Sequence, residues 1–380
     1  MPPFIYLDHA ATTPVHPSVA EAMWPFFGQQ WGNASSRYPL AEEARQSADW
    51  AHERVAAFLG ARPGEIVFTS GGSESDNLAL QGVAFANRAR GNHIITTATE
   101  HHAVLRTCAY LAEHHGFRVT YLPVDHHGVI DLAALAAALT DETILVSVML
   151  ANNEVGTLQP LSEVARLCKQ HGVWLHTDAV QAAPTLPLNV NELGVDLLTL
   201  SAHKCYGPKG VGALYVRRGT PLQPLIHGGH QERDRRAGTE NVAGMVGMAT
   251  ALQLVQGHDP AALTALRDRL INGVLASVPG ASLSGHPSHR LANNASFCFQ
   301  GVEGEAVLNE LATHNVACSS GSACAAGESD PSHVLTAMGY PPELAHTAVR
   351  FSLGLLNTPA QIEAVVALLP GIVAALRGDE

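Results

Sequence analysis

Alternation of strands and helices is the feature that most constrains how this chain folds. Short apolar runs such as Glu65–Ser70 and His93–Thr97 alternate with Ala-rich amphipathic stretches such as Ser73–Ala89. Strands separated by helices of this length form βαβ units, which predict an α/β fold with a mostly parallel sheet and helices on both faces. The other strands predicted for this sheet are Arg118–Leu122, Thr143–Met149, Val173–Thr177 and Asp196–Leu200. Ligands of such sheets bind at the carboxyl ends of the strands.

The pattern changes after about residue 258, where long helices and an alternating strand replace the βαβ units. Pro260–Ala276 and Pro359–Leu376 read as helices, and Asn294–Phe299 alternates like an antiparallel strand with one solvated face. We therefore expect a large domain over 15–258 and a smaller α+β domain formed by 1–14 together with 259–380.

Composition excludes several classes of protein. The chain has 380 residues, a formal net charge of −12 and a hydrophobic fraction of 46%, so it can bury a large core, while its acidic surface repels nucleic-acid phosphates. The apolar run Ala364–Leu376 is interrupted by Pro370, and we expect no membrane span. The first basic residue is Arg37, so we expect no secretory signal. Six cysteines are too few for a disulfide scaffold, which indicates reduced thiols and a cytoplasmic protein.

Three strand ends carry residues that together indicate chemistry. Lys204 follows an apolar strand, and a lysine desolvated there becomes a nucleophile for carbonyl compounds, although a surface lysine is the ordinary alternative. Gly72 and Ser73 lie between a strand and a helix, either as an anion site or as a plain βα turn. Asp178 ends a third strand and either holds a ring nitrogen protonated or caps a helix. Together they predict a site for pyridoxal phosphate, with a phosphate cradle, a pyridinium partner and a Schiff-base lysine.

Nine ordered motifs resemble those of the cysteine desulfurases, the NifS/IscS-like group of the class V aminotransferases, over nearly the whole chain. They are Tyr6–Pro14 (YLDHAATTP), Phe68–Asn77 (FTSGGSESDN), Thr99–Leu105 (TEHHAVL), Asn152–Gly156 (NNEVG), His176–Gln181 (HTDAVQ), Ser201–Gly212 (SAHKCYGPKGVG), Arg236–Val242 (RAGTENV), Ser319–Cys324 (SSGSAC) and Val349–Gly354 (VRFSLG). The resemblance implies the fold type I of pyridoxal-phosphate enzymes, with a seven-stranded sheet in the large domain, and a homodimer.

The resemblance also implies a role for each matching residue. Lys204 matches the lysine that binds the cofactor covalently, Asp178 the carboxylate facing the pyridine nitrogen, and His101 the histidine that stacks on the ring and transfers protons. The phosphate-binding positions fall on Gly72, Ser73, Ser201 and His203, with Thr239 supplied by the neighbouring subunit. Gln181 falls where the family contacts the ring hydroxyl, and Asn153 and Arg350 fall where it holds the cofactor and the substrate carboxylate.

Cys324 matches the nucleophile that takes sulfur from the substrate and keeps it as a persulfide. Small residues surround it from Ser319 to Gly327, so we expect a mobile loop, the alternative being a linker with an incidental cysteine. The implied reaction converts L-cysteine to L-alanine by way of a pyridoxal-phosphate ketimine and donates the sulfur to iron–sulfur cluster assembly or another thio-cofactor pathway. A selenocysteine or cysteine-sulfinate lyase, or a class V aminotransferase, is the alternative within the same fold.

The remaining thiols and the histidines have ordinary interpretations. Cys205 follows Lys204 directly and is either a small core residue, which we favour, or an accessory thiol. Cys318 lies six residues before Cys324, which leaves a disulfide or a sulfur relay between the two open. Adjacent histidines point in different directions, so we expect no metal site among the 21 histidines. The expected partner is a sulfur acceptor such as an iron–sulfur scaffold. Because IscS-type members carry a longer C-terminal tail implicated in scaffold docking, the resemblance does not identify a particular scaffold.

Overall fold

The computed structural model describes residues 4–320 and 331–378 and contains strands of three separate sheets. The strands are β1 (Ile5–Tyr6), β2 (Ile66–Thr69), β3 (His93–Thr97), β4 (Arg118–Leu122), β5 (Thr143–Ser147), β6 (Trp174–Asp178), β7 (Leu197–Ser201), β8 (Gly212–Val216), β9 (Ala281–Leu283), β10 (Asn294–Phe299), β11 (Val316–Ala317) and β12 (Ala348–Ser352). The helices are α1 (Pro17–Met23), α2 (Pro39–Leu59), α3 (Gly72–Ala86), α4 (His102–His115), α5 (Leu132–Ala138), α6 (Leu161–His171), α7 (Val190–Leu193), α8 (Val242–Gln256), α9 (Pro260–Ser277), α10 (Gly304–Thr313), α11 (His333–Ala337), α12 (Pro342–Ala345) and α13 (Pro359–Arg377).

The large sheet has seven strands in the order β2-β8-β7-β6-β5-β3-β4. Neighbours from β7 to β4 pair in parallel, and β8 pairs antiparallel with both β2 and β7. The predicted α/β fold with a mostly parallel seven-stranded sheet is therefore confirmed. Strand β8 is absent from the strands that the residue pattern predicts, because the glycines that precede it, in GPKGVG, mark that region as a loop.

Apolar side chains fill both faces of this sheet. Strands β2, β3, β5, β7 and β8 are buried along their whole length, as expected of strands covered by helices on both sides. Helices α2 and α8 pack against each other and contribute to one apolar cluster of the large sheet. Helices α3 and α4 pack against each other and contribute to a second apolar cluster of the same sheet. Six of the seven strands run in the same direction, so their carboxyl ends share one edge of the sheet.

A second group of elements follows α8. Strands β12, β10 and β9 form an antiparallel sheet, and α9, α10 and α13 pack on it around an apolar cluster that includes Ile5 and Leu7. The antiparallel pairing of β10 is as predicted, but the expected solvated face is wrong, because β10 is buried along its whole length. The N-terminal strand β1 joins this group through its parallel pairing with β11. The division into domains at 15–258, and at 1–14 with 259–380, stays a prediction.

Helix α13 is the one helix of the described residues that is long and apolar enough to span a membrane by length and composition. Its side chains Ile362, Val365 and Leu369 are buried in the apolar cluster of the smaller sheet, as in the core helix of a folded domain. Pro370 lies inside this helix and does not end it, although the proline ring removes one backbone hydrogen bond. We therefore interpret α13 as a packed helix of the smaller domain.

Candidate active site

A cavity of about 440 Å³ lies where strands β6 and β7 end and helix α3 begins. It collects the predicted site residues Gly72, Ser73, His101, Asn153, Asp178, Gln181, Ser201, His203, Lys204 and Arg350. These residues are far apart in sequence and meet because the carboxyl ends of parallel strands share one edge. The arrangement places an amine, a carboxylate, a helix N-terminus and a guanidinium around one space.

Lys204 ends the short 3-10 turn Ala202–Lys204 that follows β7 directly. Its Nζ donates hydrogen bonds to the backbone carbonyls of Ala10 and Ala11, at 2.6 and 2.7 Å. Gln181 donates to the same Ala10 carbonyl at 2.9 Å. The N-terminal segment thus fixes the amine at the cavity wall, where it faces any carbonyl compound bound inside.

Buried acids lie on the side of the cavity formed by β6 and α3. Asp178 is buried at the end of β6, and its carboxylate accepts the Val180 N–H at 2.9 Å. Burial raises the pKa of Asp178 above its ordinary range, while the nearby Lys204 opposes that rise. Burial and the proximity of Asp178 also raise the pKa of Asp76 on α3. A cation placed against this wall would be stabilised, which is the environment that a protonated ring nitrogen requires.

Glu100 is a third buried acid that the sequence interpretation did not single out, although it lies within the motif TEHHAVL. Its Oε1 accepts from the Met149 N–H at 2.8 Å and the Thr97 hydroxyl at 2.9 Å. Burial raises the pKa of Glu100 to about 8. A pKa near 8 keeps most of the Glu100 carboxyl groups protonated at pH 7.

The part of the cavity at the start of α3 suits an anion. Helix α3 begins at Gly72, and its N-cap residue Gly71 provides no side-chain hydrogen bond, so the first N–H groups of the helix depend on other acceptors. Ser73, Ser201 and His203 line the same part of the cavity. Burial and the charge of Lys204 lower the pKa of His203 to about 4, so this imidazole is neutral and can donate one hydrogen bond. Backbone N–H groups, hydroxyls and a neutral imidazole form a donor set for phosphate.

His101 is the N-cap residue of α4, and its Nδ1 accepts the backbone N–H of Ala103 at 3.1 Å. Accepting through Nδ1 leaves Nε2 as the protonated nitrogen of the neutral ring. Burial, followed by the charge of Lys204, lowers the pKa of His101 to about 4. His101 is thus a neutral imidazole at the cavity wall at pH 7.

Arg350 extends from β12 and brings the smaller sheet to the cavity. Its side chain is 2% exposed, with Nη1 donating to the Asn153 carbonyl and Nη2 to Asp8 Oδ1, each at 3.0 Å. The backbone of Arg350 exchanges two hydrogen bonds with Ser319, at 2.7 and 3.2 Å. A buried guanidinium in this position can bind a carboxylate inside the cavity.

Two predicted residues are not part of the cavity. Thr239 is exposed and is absent from the residues that line the cavity. Cys324 lies outside the described residues. The cavity also includes Ala10, Ala11, Asp76, His102, Met149, Glu154, Val180 and His333, which the sequence interpretation did not assign. Most of these lie in or beside the quoted motifs, whereas His333 follows them in a stretch that carries no such signal.

Of the two other cysteines near the site, Cys205 is buried and Cys318 is half-buried. Cys205 is buried in the core of the large sheet, which agrees with the core interpretation, and burial raises the pKa of its thiol to about 12. Burial and the neighbouring Asp8 raise the pKa of the Cys318 thiol well above its ordinary range. Both groups are therefore protonated thiols at neutral pH. The described residues contain no group of three or more His, Cys, Asp or Glu side chains arranged to hold a metal ion.

Comparisons with known proteins agree with this geometry. The family model described as aminotransferase class-V matches residues 5–365. The chain is 49% identical over 378 residues to "Cysteine desulfurase IscS" of Clostridium botulinum, covering 98% of this chain and 95% of that protein. A solved NifS-like protein superposes with a TM-score of 0.93 at 38% identity, covering 98% of this chain and 100% of the other. The structure described as SspA in complex with cysteine has a TM-score of 0.83 at 38% identity, with coverages of 92% and 98%.

Proposed function

The chain belongs to the class V aminotransferase family and, within it, to the cysteine desulfurases, and we propose that it converts L-cysteine to L-alanine with pyridoxal phosphate and keeps the sulfur as a persulfide on Cys324. The observation that carries this proposal is the meeting of Lys204, Asp178 and Arg350 around one cavity. A nucleophilic amine, a buried anion and a carboxylate-binding guanidinium are together what a pyridoxal-phosphate enzyme for amino acids needs.

The residues around the cavity fit pyridoxal phosphate. Gly72, Ser73, Ser201 and His203 would hold the phosphate, because they form the donor set at the start of α3. Asp178 would face the ring nitrogen, Gln181 the ring hydroxyl, and His101 the face of the ring. When bound, the cofactor supplies a carbonyl carbon that captures the substrate amine and a conjugated ring that stabilises negative charge at the substrate carbons.

Lys204, His101 and Arg350 have distinct tasks in this proposal. Arg350, with Asn153, binds the substrate carboxylate and orients the amino acid in the cavity. The Lys204 amine would hold the cofactor covalently, and as a free amine it can move the proton at the substrate Cα. His101 is neutral at pH 7 with its proton on Nε2, so Nε2 can donate a hydrogen bond within the cavity, and the ring accepts a proton only when Nδ1 gives up the Ala103 N–H.

Cys324 performs the sulfur transfer. Its thiolate attacks the substrate sulfur, so that a sulfur–sulfur bond forms while the bond between that sulfur and the substrate Cβ breaks. The substrate carbon keeps the bonding electron pair and takes up a proton, which makes the methyl group of alanine. Described residues on either side support this assignment, because Ser319 is hydrogen-bonded to Arg350, and Ser332 donates to Glu154 at the cavity wall at 2.5 Å.

We further propose that the protein is a homodimer. Large aromatic side chains are exposed between residues 24 and 38, with Trp24 73% and Trp31 66% exposed, and exposed aromatic residues in one segment are typical of an interface. Thr239, exposed and outside the cavity of its own subunit, would reach the phosphate in the partner's cavity. The proposed acceptor of the persulfide is a sulfur-acceptor protein such as an iron–sulfur scaffold, in the cytoplasm.

Alanine and sulfide release from L-cysteine with a reductant tests this proposal, with Cys324→Ala and Cys205→Ala as paired variants. Equal amounts of both products are expected from the wild type and from Cys205→Ala, and neither product from Cys324→Ala. An active Cys324→Ala variant, or a wild type that binds the cofactor and makes no alanine, would refute the assignment.

A further inference from the structure

Asp8 lies within the first motif, YLDHAATTP, and the reaction as described gives it no task. It follows β1, and its backbone forms a parallel bridge with Ser352 of β12. Arg350 lies two residues earlier on that strand. The pairing therefore places the Asp8 carboxylate beside the guanidinium that binds the substrate carboxylate.

The Arg350 guanidinium is held by two acceptors from different parts of the chain. Nη2 lies 3.0 Å from Asp8 Oδ1, and Nη1 lies 3.0 Å from the Asn153 carbonyl oxygen. Each terminal nitrogen carries two hydrogens, so each retains one after these contacts. The two contacts fix the plane of the guanidinium and leave N–H groups for a carboxylate, including the Nε–H, which is buried and has no partner among the described residues.

Charge supports the same conclusion. Arg350 is 2% exposed, and a buried guanidinium without a counter-ion is strongly unfavourable, so the side chain would turn away or attract a stray anion before substrate arrives. Asp8 is the carboxylate that forms an ion pair with Arg350 within the described residues. The Asn153 carbonyl accepts a hydrogen bond but carries no net charge.

We propose that Asp8 is a positioning residue for substrate binding: it fixes and neutralises the Arg350 guanidinium in the orientation that receives the carboxylate of the amino acid. This inference rests on the proposed function, because it takes Arg350 as the carboxylate-binding residue. Asp8 does not take part in sulfur transfer, so its removal weakens binding of the carboxylate and leaves the later steps largely intact.

Steady-state alanine formation from L-cysteine by Asp8→Asn and Asp8→Ala tests the proposal. We expect the KM for cysteine to rise by about tenfold in Asp8→Ala and by less in Asp8→Asn, whose amide oxygen still accepts a hydrogen bond, while kcat changes by less than about threefold. The inhibition constant of cysteamine, which has the amine and thiol but no carboxylate, should stay within about twofold of the wild-type value.

Asp196→Asn is the matched control. Asp196 is 18% exposed, as is Asp8, and lies 3.5 Å from Arg217 at the start of β7, away from the cavity. Its removal should leave the KM unchanged.

Three results would overturn the inference. The first is an unchanged KM for cysteine in both Asp8 variants, and the second is a lower KM, which would mean that Asp8 competes with the substrate carboxylate for Arg350. The third is an equal loss of cysteine binding and cysteamine binding in the Asp8 variants. Calorimetric titration of L-alanine into the holoenzyme gives a second readout, with a raised Kd expected for Asp8→Asn. Failure of the wild type to make alanine would instead contradict the proposed function, and is thereby distinguished from failure of this inference.

Discussion

Replacing Glu100 by glutamine should change how the stability of the protein depends on pH. Glu100 is completely buried beside the cavity, and its pKa is raised from 4.5 to about 8 by burial. Between these two values the folded protein keeps a proton that the unfolded chain has released. Stability conferred by the neutral acid is therefore lost as the pH rises, and at about 1.36 kcal/mol per pH unit the loss reaches about 4 kcal/mol at pH 8.

The variant Glu100→Gln keeps the shape of the protonated acid and cannot ionise. Its free energy of unfolding, relative to that of the wild type, should increase by about 1.2 kcal/mol per pH unit on average from pH 5 to pH 8. Urea unfolding of both proteins at four pH values in this interval measures the difference. The change of this difference with pH is the informative quantity, because any fixed packing cost of the amide contributes equally at every pH.

Glu142→Gln provides the control, since the Glu142 side chain is 66% exposed and forms a surface ion pair with Arg118. Its stability difference from the wild type should not change between pH 5 and pH 8. A pH-independent difference for Glu100→Gln as well would mean that Glu100 is ionised in the folded protein. The interpretation of the buried wall as one that contains a neutral acid would then be wrong.

Three further predictions concern catalysis and assembly. Lys204→Ala should lose the covalently bound cofactor and its long-wavelength absorbance, and alanine formation should fall by at least about a thousandfold, which spectroscopy and product assay measure together. His101→Gln should lower kcat by about a hundredfold or more. Because the pKa of His101 is lowered to about 4, its titration should not change kcat near pH 6.5, and the pH profiles of the wild type and the variant should have the same shape in that range. Trp31→Asp should shift sedimentation from dimer to monomer, and an unchanged dimer would place the interface elsewhere.

Most of the α/β fold could be predicted because its strands are short, apolar and separated by helices. The exceptions have local causes. Strand β8 follows a glycine-rich loop, and α8 is apolar on all sides, so neither shows the usual amphipathic pattern. Pro370 is tolerated inside α13, where the sequence alone indicates an interruption.

The candidate site was predictable where a residue type at a strand end has a chemical meaning, as for Lys204 and Asp178. Contacts that depend on the tertiary structure could not be predicted from the sequence. No spacing rule brings Asp8 to Arg350, which are separated by 342 positions, and burial of Glu100 depends on strands that surround it in space. Such residues are identified only when the path of the chain is known.

Mass spectrometry of a single turnover tests the central claim most directly. The wild-type holoenzyme, mixed with one equivalent of L-cysteine per chain and no reductant, should release one equivalent of alanine and gain one sulfur atom, located on the peptide that contains Cys324. Alanine formed without that gain, or sulfur found on Cys205 or Cys318, would contradict the account.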